Sequence, residues 1–254
     1  MKIGFLITGR LKSKRLPQKV ILEICGKPLF SHLCDRLRRT SCIDEIILCT
    51  STHTQDDPLV DLAHNEGIHA FRGSEEDVLQ RLCDAARLFN LDYALNITAD
   101  CPLVDPLFID KTFEGYVSNR ADVVRMSDLP LGQAPYGIRV EALSKVCELK
   151  DEVETEVWGV YFKNNKLFLY EDLPVEKKYQ YPGLKTTIDY PEDYEFFKKL
   201  FDELYRPDDI FTFDQILSLV RKKPDLVKIN SHCIGLGVDH IRKTASPARF
   251  KGHI

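Results

Sequence analysis

The chain has 254 residues, a formal net charge of −4, 44% apolar residues and 29% charged residues. That length suits one large α/β domain, or one domain with a small appendage, better than two equal domains, and the charge balance gives no global attraction to nucleic acid or anionic membrane. No apolar run approaches the ~20 residues of a membrane span, and the N-terminus enters a strand pattern without a signal-peptide pattern, so a cytoplasmic location is expected.

The first expected strand, residues 2–8, carries the apolar run Ile3-Gly4-Phe5-Leu6-Ile7. It runs straight into Gly9-Arg10-Leu11-Lys12-Ser13-Lys14-Arg15-Leu16-Pro17-Gln18-Lys19, where five basic residues (Arg10, Lys12, Lys14, Arg15, Lys19) and one hydroxyl fall within ten positions. In open α/β sheets ligands collect outside the carboxyl ends of the strands. A cationic loop at such an end forms a cradle for a polyphosphate, and a nucleoside triphosphate is its natural occupant. The same run elsewhere in a chain would read as a solvated basic loop.

Strand and helix signals then alternate. Strands are expected at 45–49, 69–71, 93–97 and 122–124, with amphipathic helices at 31–39, 59–66, 75–89 and 108–118. Pro58 and Pro106 sit at helix starts, where a missing N–H costs nothing. The pattern predicts βα units on a mostly parallel sheet.

From about Leu129 the rhythm changes. Pro130, Gly132, Pro135 and Gly137 crowd together before helices near 140–149 and 152–164, marking an inserted subregion at about 129–180. Strands at 167–170 and 184–188, a helix from Pro191 to Leu204 and a last helix at 213–222, stopped by Pro224, complete a domain of residues 1–230. The tail, 231–254, carries Gly235, Gly237, Lys243, Arg249, Lys251 and three of the seven histidines with little periodicity. It is expected to be a mobile segment or a docking strap, its functional reading being a basic flap over the site or a partner contact.

Eight cysteines (Cys25, Cys34, Cys42, Cys49, Cys83, Cys101, Cys147, Cys233) are scattered without a CxxC pair, which points to small buried hydrophobes in a reducing compartment. Two acidic sites each follow an apolar strand: Thr98-Ala99-Asp100-Cys101-Pro102, and Thr187-Ile188-Asp189-Tyr190-Pro191-Glu192-Asp193. Carboxylates held in Pro-bounded turns at the sheet edge could share one Mg²⁺ on a bound triphosphate. Their plain structural readings are a strand-end turn for Asp100 and helix capping by Asp189 or Asp193.

These motifs together resemble the cytidylyltransferase family that includes the CMP-KDO and CMP-acylneuraminate synthetases, closest to its spore coat polysaccharide protein F branch. The family's opening pattern A-R-x-x-S-x-R-L-P-x-K is matched by residues 9–19, and Gly26-Lys27-Pro28-Leu29 and Asp56-Asp57-Pro58-Leu59-Val60 match later segments. Phe71-Arg72-Gly73-Ser74-Glu75-Glu76-Asp77-Val78-Leu79-Gln80-Arg81 is similar to R-G-S-E-x-D-V-L-x-R, Asp100-Cys101-Pro102-Leu103 to D-C-P-L, and Asp189-Tyr190-Pro191-Glu192-Asp193 to D-x-P-E-D. The resemblance implies a three-layer fold of the nucleotide-diphospho-sugar transferase type. It also implies transfer from an NTP, CTP first, to a sugar or sugar phosphate with release of pyrophosphate, and a homodimer.

Carried onto this chain, the resemblance gives Arg10, Arg15, Lys19 and Asp100 as the catalytic set, with Asp100 and Asp189 holding Mg²⁺. Gly9, Ser13, Arg72, Gly73, Ser74, Asp77, Asn96 and Thr98 would bind the nucleotide, and Tyr136, Gly137, Arg139 and Glu156 the acceptor. The chain departs from the pattern in places: Gln18 stands where the family usually has Gly, Gly9 replaces an Ala, and Ala99 replaces a Gly. Arg139 stands where an acid is usual, which leads to the expectation of a more anionic acceptor paired by Arg139. A polyol phosphate or phosphonate acceptor, a glycosyltransferase and a silent nucleotide-binding module are the competing readings. The glycosyltransferase would need a D-x-D motif, which Asp100-Cys101-Pro102 is not.

Overall fold

The computed structural model describes residues 1–163, 166–244 and 248–252. β1 (Ile3–Thr8) leads through the basic loop and a 3-10 turn (Lys19–Ile21) to a small hairpin, β2 (Glu23–Ile24) and β3 (Lys27–Pro28). There follow α1 (Leu29–Leu37), β4 (Glu45–Ser51), α2 (Asp57–Asn65), β5 (His69–Gly73), α3 (Val78–Leu88), β6 (Tyr93–Thr98), α4 (Pro106–Asn119) and β7 (Val123–Ser127). β8 (Tyr136–Arg139), α5 (Val140–Leu149), β9 (Tyr170–Pro174), α6 (Pro191–Leu204), α7 (Phe213–Lys222), α8 (Asp225–Lys228) and α9 (Cys233–Thr244) complete the described chain.

The main sheet has seven strands in the order β5-β4-β1-β6-β8-β7-β9. All run one way except β8, which pairs antiparallel with both neighbours. β1 is buried along its whole length, as a central strand covered on both faces must be. Phe5 and Ile7 pack on one face with Leu33 and Leu37 of α1, Leu59 of α2 and Ile109 of α4. Leu6 packs on the other with Leu79 and Leu82 of α3 and Leu143 and Val146 of α5. That period of two, matched by helices on both sides, gives three layers. A further core under α6 and α7 gathers Phe108, Phe196, Phe197, Leu200, Ile216 and Val220.

The helix starts carry the expected chemistry. Asp105 caps α4 by accepting from the Leu107 N–H at 2.9 Å, with Pro106 behind it. Thr212 and Gln215 form a reciprocal capping box on α7.

The second half departs from the sequence reading at several points. No helix forms over 152–163, and Asn164 lies outside the described residues; the segment holds only a 3-10 turn (Trp158–Tyr161). Thr155 explains this, because its hydroxyl is tied to the Asp77 carboxylate at 3.0 Å and to the Leu79 N–H at 3.0 Å, which pins the chain across the start of α3. The strand expected at 167–170 begins at Tyr170 instead. Residues 184–188 form no strand: Lys185 makes an isolated bridge to Leu131, and Thr187 is a bend. The tail forms α9, and residues 249–251 then lie along the end of α5, with Asp151 and Lys251 donating backbone bonds to Arg249 and Leu149. Of the tail, residues 245–247 and 253–254 lie outside the described residues.

Candidate active site

β1 and β6 end side by side, Thr8 paired with Thr98. Over these two strand ends opens a cleft of about 410 Å³ lined by the basic loop, by Thr98, Ala99 and Asp100, by Arg81 of α3 and by Glu154, Glu156 and Trp158. The loop is anchored by a buried carboxylate: Asp56 accepts from the Leu11 N–H at 2.7 Å and from the Ser51 hydroxyl at 2.5 Å. It returns through Gln18, which is left-handed with φ 55°.

Lys19 lies at the centre of the charge pattern. Its ammonium is 2.5 Å from Asp100 and 2.8 Å from Asp189. Burial opposes its charge, but the two carboxylates outweigh burial and hold its pKa above the ordinary lysine value. Burial likewise opposes the charge of Asp189, and Lys19, Lys185 and Arg15 override it, holding that carboxyl well below the usual carboxylate range. Arg15 donates to Asp189 at 2.9 Å and to the Tyr190 hydroxyl at 3.1 Å.

Asp189 is delivered to the cleft by a backbone bond from Ile188 N–H to the Asp100 carbonyl, 2.9 Å, and by Asp193. The fully buried Asp193 accepts from the Asp189 and Tyr190 N–H groups at 2.8 and 3.0 Å and from Lys185 at 2.5 Å. Capping thus falls to Asp193, which leaves Asp189 facing the cations.

The cleft gathers Gly9, Arg10, Ser13, Arg15, Lys19, Thr98, Asp100 and Glu156 from among the residues expected there, with Asp189 at its margin. Arg10 donates to the Glu75 carbonyl at 2.8 Å and lies 3.5 Å from Glu156. Thr98 donates its hydroxyl to Asp100.

Other expected residues are placed elsewhere. Arg72 is tied to Asp57 at 2.6 Å and to the carbonyls of Ser51 and His53, bracing the β4–β5 edge. Gly73 ends β5 and Ser74 opens the turn into α3: a Cβ on Gly73 would lie 2.9 Å from Phe71 and 3.0 Å from Arg81, and the Ser74 hydroxyl accepts from the Asp77 N–H. Asp77 caps α3 and pairs with the buried Lys150, while Asn96 spends its amide on the Leu6 carbonyl and the Thr8 hydroxyl inside the sheet.

Arg139 is the largest correction. β8 runs antiparallel, so Arg139 pairs with Tyr93 at the amino end of β6, about 17 Å along the strand from Thr98. There it is paired with Asp122 at 3.4 Å and with Glu141. Gly137 is packed against Tyr93, whose hydroxyl would lie 2.1 Å from a Cβ, so its role is to let α4 and β6 close. Tyr136 stands behind the cleft, its ring 4.5 Å from that of Trp158.

Arg81 closes the segment matched to R-G-S-E-x-D-V-L-x-R and lines the cleft, although it is not among the residues expected at the site. It is fully buried at the cleft floor; its Nη1 donates to the Ser74 and Glu75 carbonyls, while Nε and Nη2 have no protein partner. Burial and the neighbouring Arg10 lower its pKa. Its signal in the sequence is a charged residue on the apolar face set by Val78, Leu79 and Leu82.

Sheet order, direction and the cleft at the carboxyl edge define an α/β protein of the nucleotidyltransferase fold. The cytidylyltransferase family matches residues 5–225, and the chain belongs to that family. It is 32% identical over 236 residues to an uncharacterized protein of Methanocaldococcus jannaschii, covering 91% of this chain and 96% of the other. It is 28% identical over 231 residues to the spore coat polysaccharide biosynthesis protein SpsF of Bacillus subtilis, covering 88% and 95%. A cytidylyltransferase structure from Leptospira borgpetersenii superposes with a TM-score of 0.81 at 26% identity, over 89% of this chain and 97% of that one. The CMP:2-keto-3-deoxy-manno-octonic acid synthetase structure complexed with CTP shares the fold at a TM-score of 0.64 and 16% identity, over 80% and 99%. The fold and family that the motifs implied are therefore met. Among the described residues no helix is long and apolar enough to cross a membrane.

Proposed function

We propose that this cytidylyltransferase joins CTP to a sugar or sugar phosphate, giving a CMP- or CDP-activated sugar and pyrophosphate for surface polysaccharide or glycan synthesis. The observation that carries the reading is the cationic loop of residues 10–19 folded over a cleft lined by Asp100, with Asp189 at its margin. The spore coat relative and the solved synthetase with CTP supply the nucleotide and substrate class by analogy.

An acceptor oxygen attacks the α-phosphorus, the bond to the β-phosphoryl oxygen breaks, and pyrophosphate leaves. Such a transfer needs charge neutralisation more than a protein nucleophile. Arg10, Arg15 and Lys19 bind the triphosphate and the charge that develops on the leaving group, and Ser13 donates a hydrogen bond. Arg81, buried beneath these groups, adds positive charge at the cleft floor.

The donor set fits Mg²⁺. Two hard carboxylates converge where the Lys19 ammonium already places one positive charge, and Asp189 stays ionised. Asp100 and Asp189 would hold the ion, which supplies Lewis-acid neutralisation of the phosphates when bound. Glu156 and Trp158, backed by Tyr136, form the wall for the acceptor, a wall that is aromatic and acidic rather than cationic.

The test is a pyrophosphate-release assay with Mg²⁺, crossing four ribonucleoside triphosphates against sugar 1-phosphates, sugar acids and polyol phosphates. Turnover with CTP and a sugar acceptor, absent in Asp100→Asn, supports the reading. Turnover only with a polyol phosphate, or only with another triphosphate, replaces it.

A further inference from the structure

A second cavity, about 580 Å³, lies between α1 and the α6–α7 connection, and among the described residues it shares no lining residue with the cleft. At its inner end is Arg36, only 2% exposed. Among the described residues its guanidinium has no hydrogen-bond or ion-pair partner, and Nη1 is buried without one.

An unpaired buried charge is costly, so a partner for it is to be sought. The two carboxylates that act on Arg36 are already committed, and Asp208 and Asp209, which also line the cavity, are not among the charges that act on it. Asp105 gives its two oxygens to the N–H groups of Leu107 and Phe213 and reaches Arg36 only through space. Asp35 is taken by Lys27 and Arg38. The Arg36 guanidinium lies over the Phe211 ring, 4.6 Å from its centroid. Burial lowers the pKa to about 10, which leaves the group charged at neutral pH. Arg39, also lining the cavity, spends only one long bond, 3.4 Å, on the Asp208 carbonyl. Tyr205 and Phe201 supply an apolar wall.

We propose that this cavity is a second ligand site, for a small oxyanion of the phosphate or carboxylate type, with Arg36 as its inner anchor and Arg39 at its mouth. A planar guanidinium matches either oxyanion in bidentate fashion. The site is independent of the nucleotidyl-transfer reading, because it shares no residue with the cleft.

The test is a titration of the full chain with inorganic phosphate, and separately with malonate, followed by backbone amide NMR. Saturable shifts at Lys27, Arg36 and Phe211 are expected beside any shifts at the cleft. Arg36→Met should weaken the response at these amides at least about tenfold, as loss of a charge-assisted bond implies, and leave the cleft response in place; Lys19→Met should do the reverse. The probe that saturates at the lower concentration names the class. If only cleft amides move, or if Arg36→Met leaves the Phe211 shift intact, the proposal falls. Should Arg36→Met fail to fold, the exposed Arg39→Ala decides: a severalfold weaker response sustains the site, and an unchanged one overturns it.

Discussion

Gly9 and Ala99 face each other at the carboxyl ends of β1 and β6, so closely that a Cβ on Gly9 would lie 3.0 Å from that of Ala99. The family pattern carries Ala at the first position and Gly at the second. This chain has the two in reversed order, in keeping with a contact in which methyl groups at both positions would crowd; Leu59 Cδ2 would also lie 3.2 Å from such a Cβ. The backbone spacing at the cleft floor is kept either way.

Gly9→Ala alone should therefore destabilise the fold by about 1–3 kcal/mol through overpacking. Adding Ala99→Gly should recover most of that loss, and urea denaturation of the two single variants and the double variant measures the coupling. Strict additivity would contradict the contact.

Lys19 should be critical to turnover. Lys19→Met is expected to lower kcat/KM by about 10²–10³, the usual cost of removing one preorganised charge-stabilising group. Steady-state kinetics on a variant shown to be folded by circular dichroism checks this, and a loss under about threefold would remove Lys19 from the set.

Arg139→Ala should leave the acceptor KM unchanged, since Arg139 stands at the opposite edge of the sheet, paired with Asp122 and Glu141. Trp158→Ala should raise it about tenfold or more, since Trp158 is both 5% exposed and part of the cleft wall. Acceptor-saturation curves for the two variants separate these outcomes, and an Arg139 effect on KM would restore an anionic acceptor.

The acid limb of stability should report Asp189. Its pKa in the folded protein is depressed, so its contribution is present above the ordinary carboxylate value of 3.8 and is lost as pH falls below it. The stability gap between the wild type and Asp189→Asn should thus hold from pH 7 to about pH 5 and narrow below about pH 4. Urea midpoints across that range test it; a gap unchanged at pH 3 would contradict the depressed pKa.

The regular elements of the first half were readable because each buries a continuous face: Phe5 and Ile7 against Leu6 in β1, or Val78, Leu79 and Leu82 in α3. β8 was not readable as a strand. Its four residues follow Pro135 and include Gly137, too short for a period to emerge, and tertiary pairing with β6 and β7 makes it a strand. The missing helix at 152–163 was overridden by the bonds of Thr155, a long-range effect no local pattern carries.

At the site, the basic loop and both edge acids were legible by position, whereas the direction of β8, which removes Arg139, needed the fold. Gln18 shows how the two levels meet. The usual glycine there is explained by φ 55°, a left-handed conformation that costs a side chain about 1–2 kcal/mol.

The most direct measurement of the central claim follows two labels through one reaction: CTP carrying ³²P at the α or at the γ position, incubated with Mg²⁺ and the sugar acceptor that the pyrophosphate screen selects. Transfer of α-label into a nucleotide sugar with release of γ-label as pyrophosphate, both lost in Asp100→Asn, is the predicted result. Release of α-label as free CMP, or no movement of label despite bound CTP, would contradict nucleotidyl transfer at this cleft.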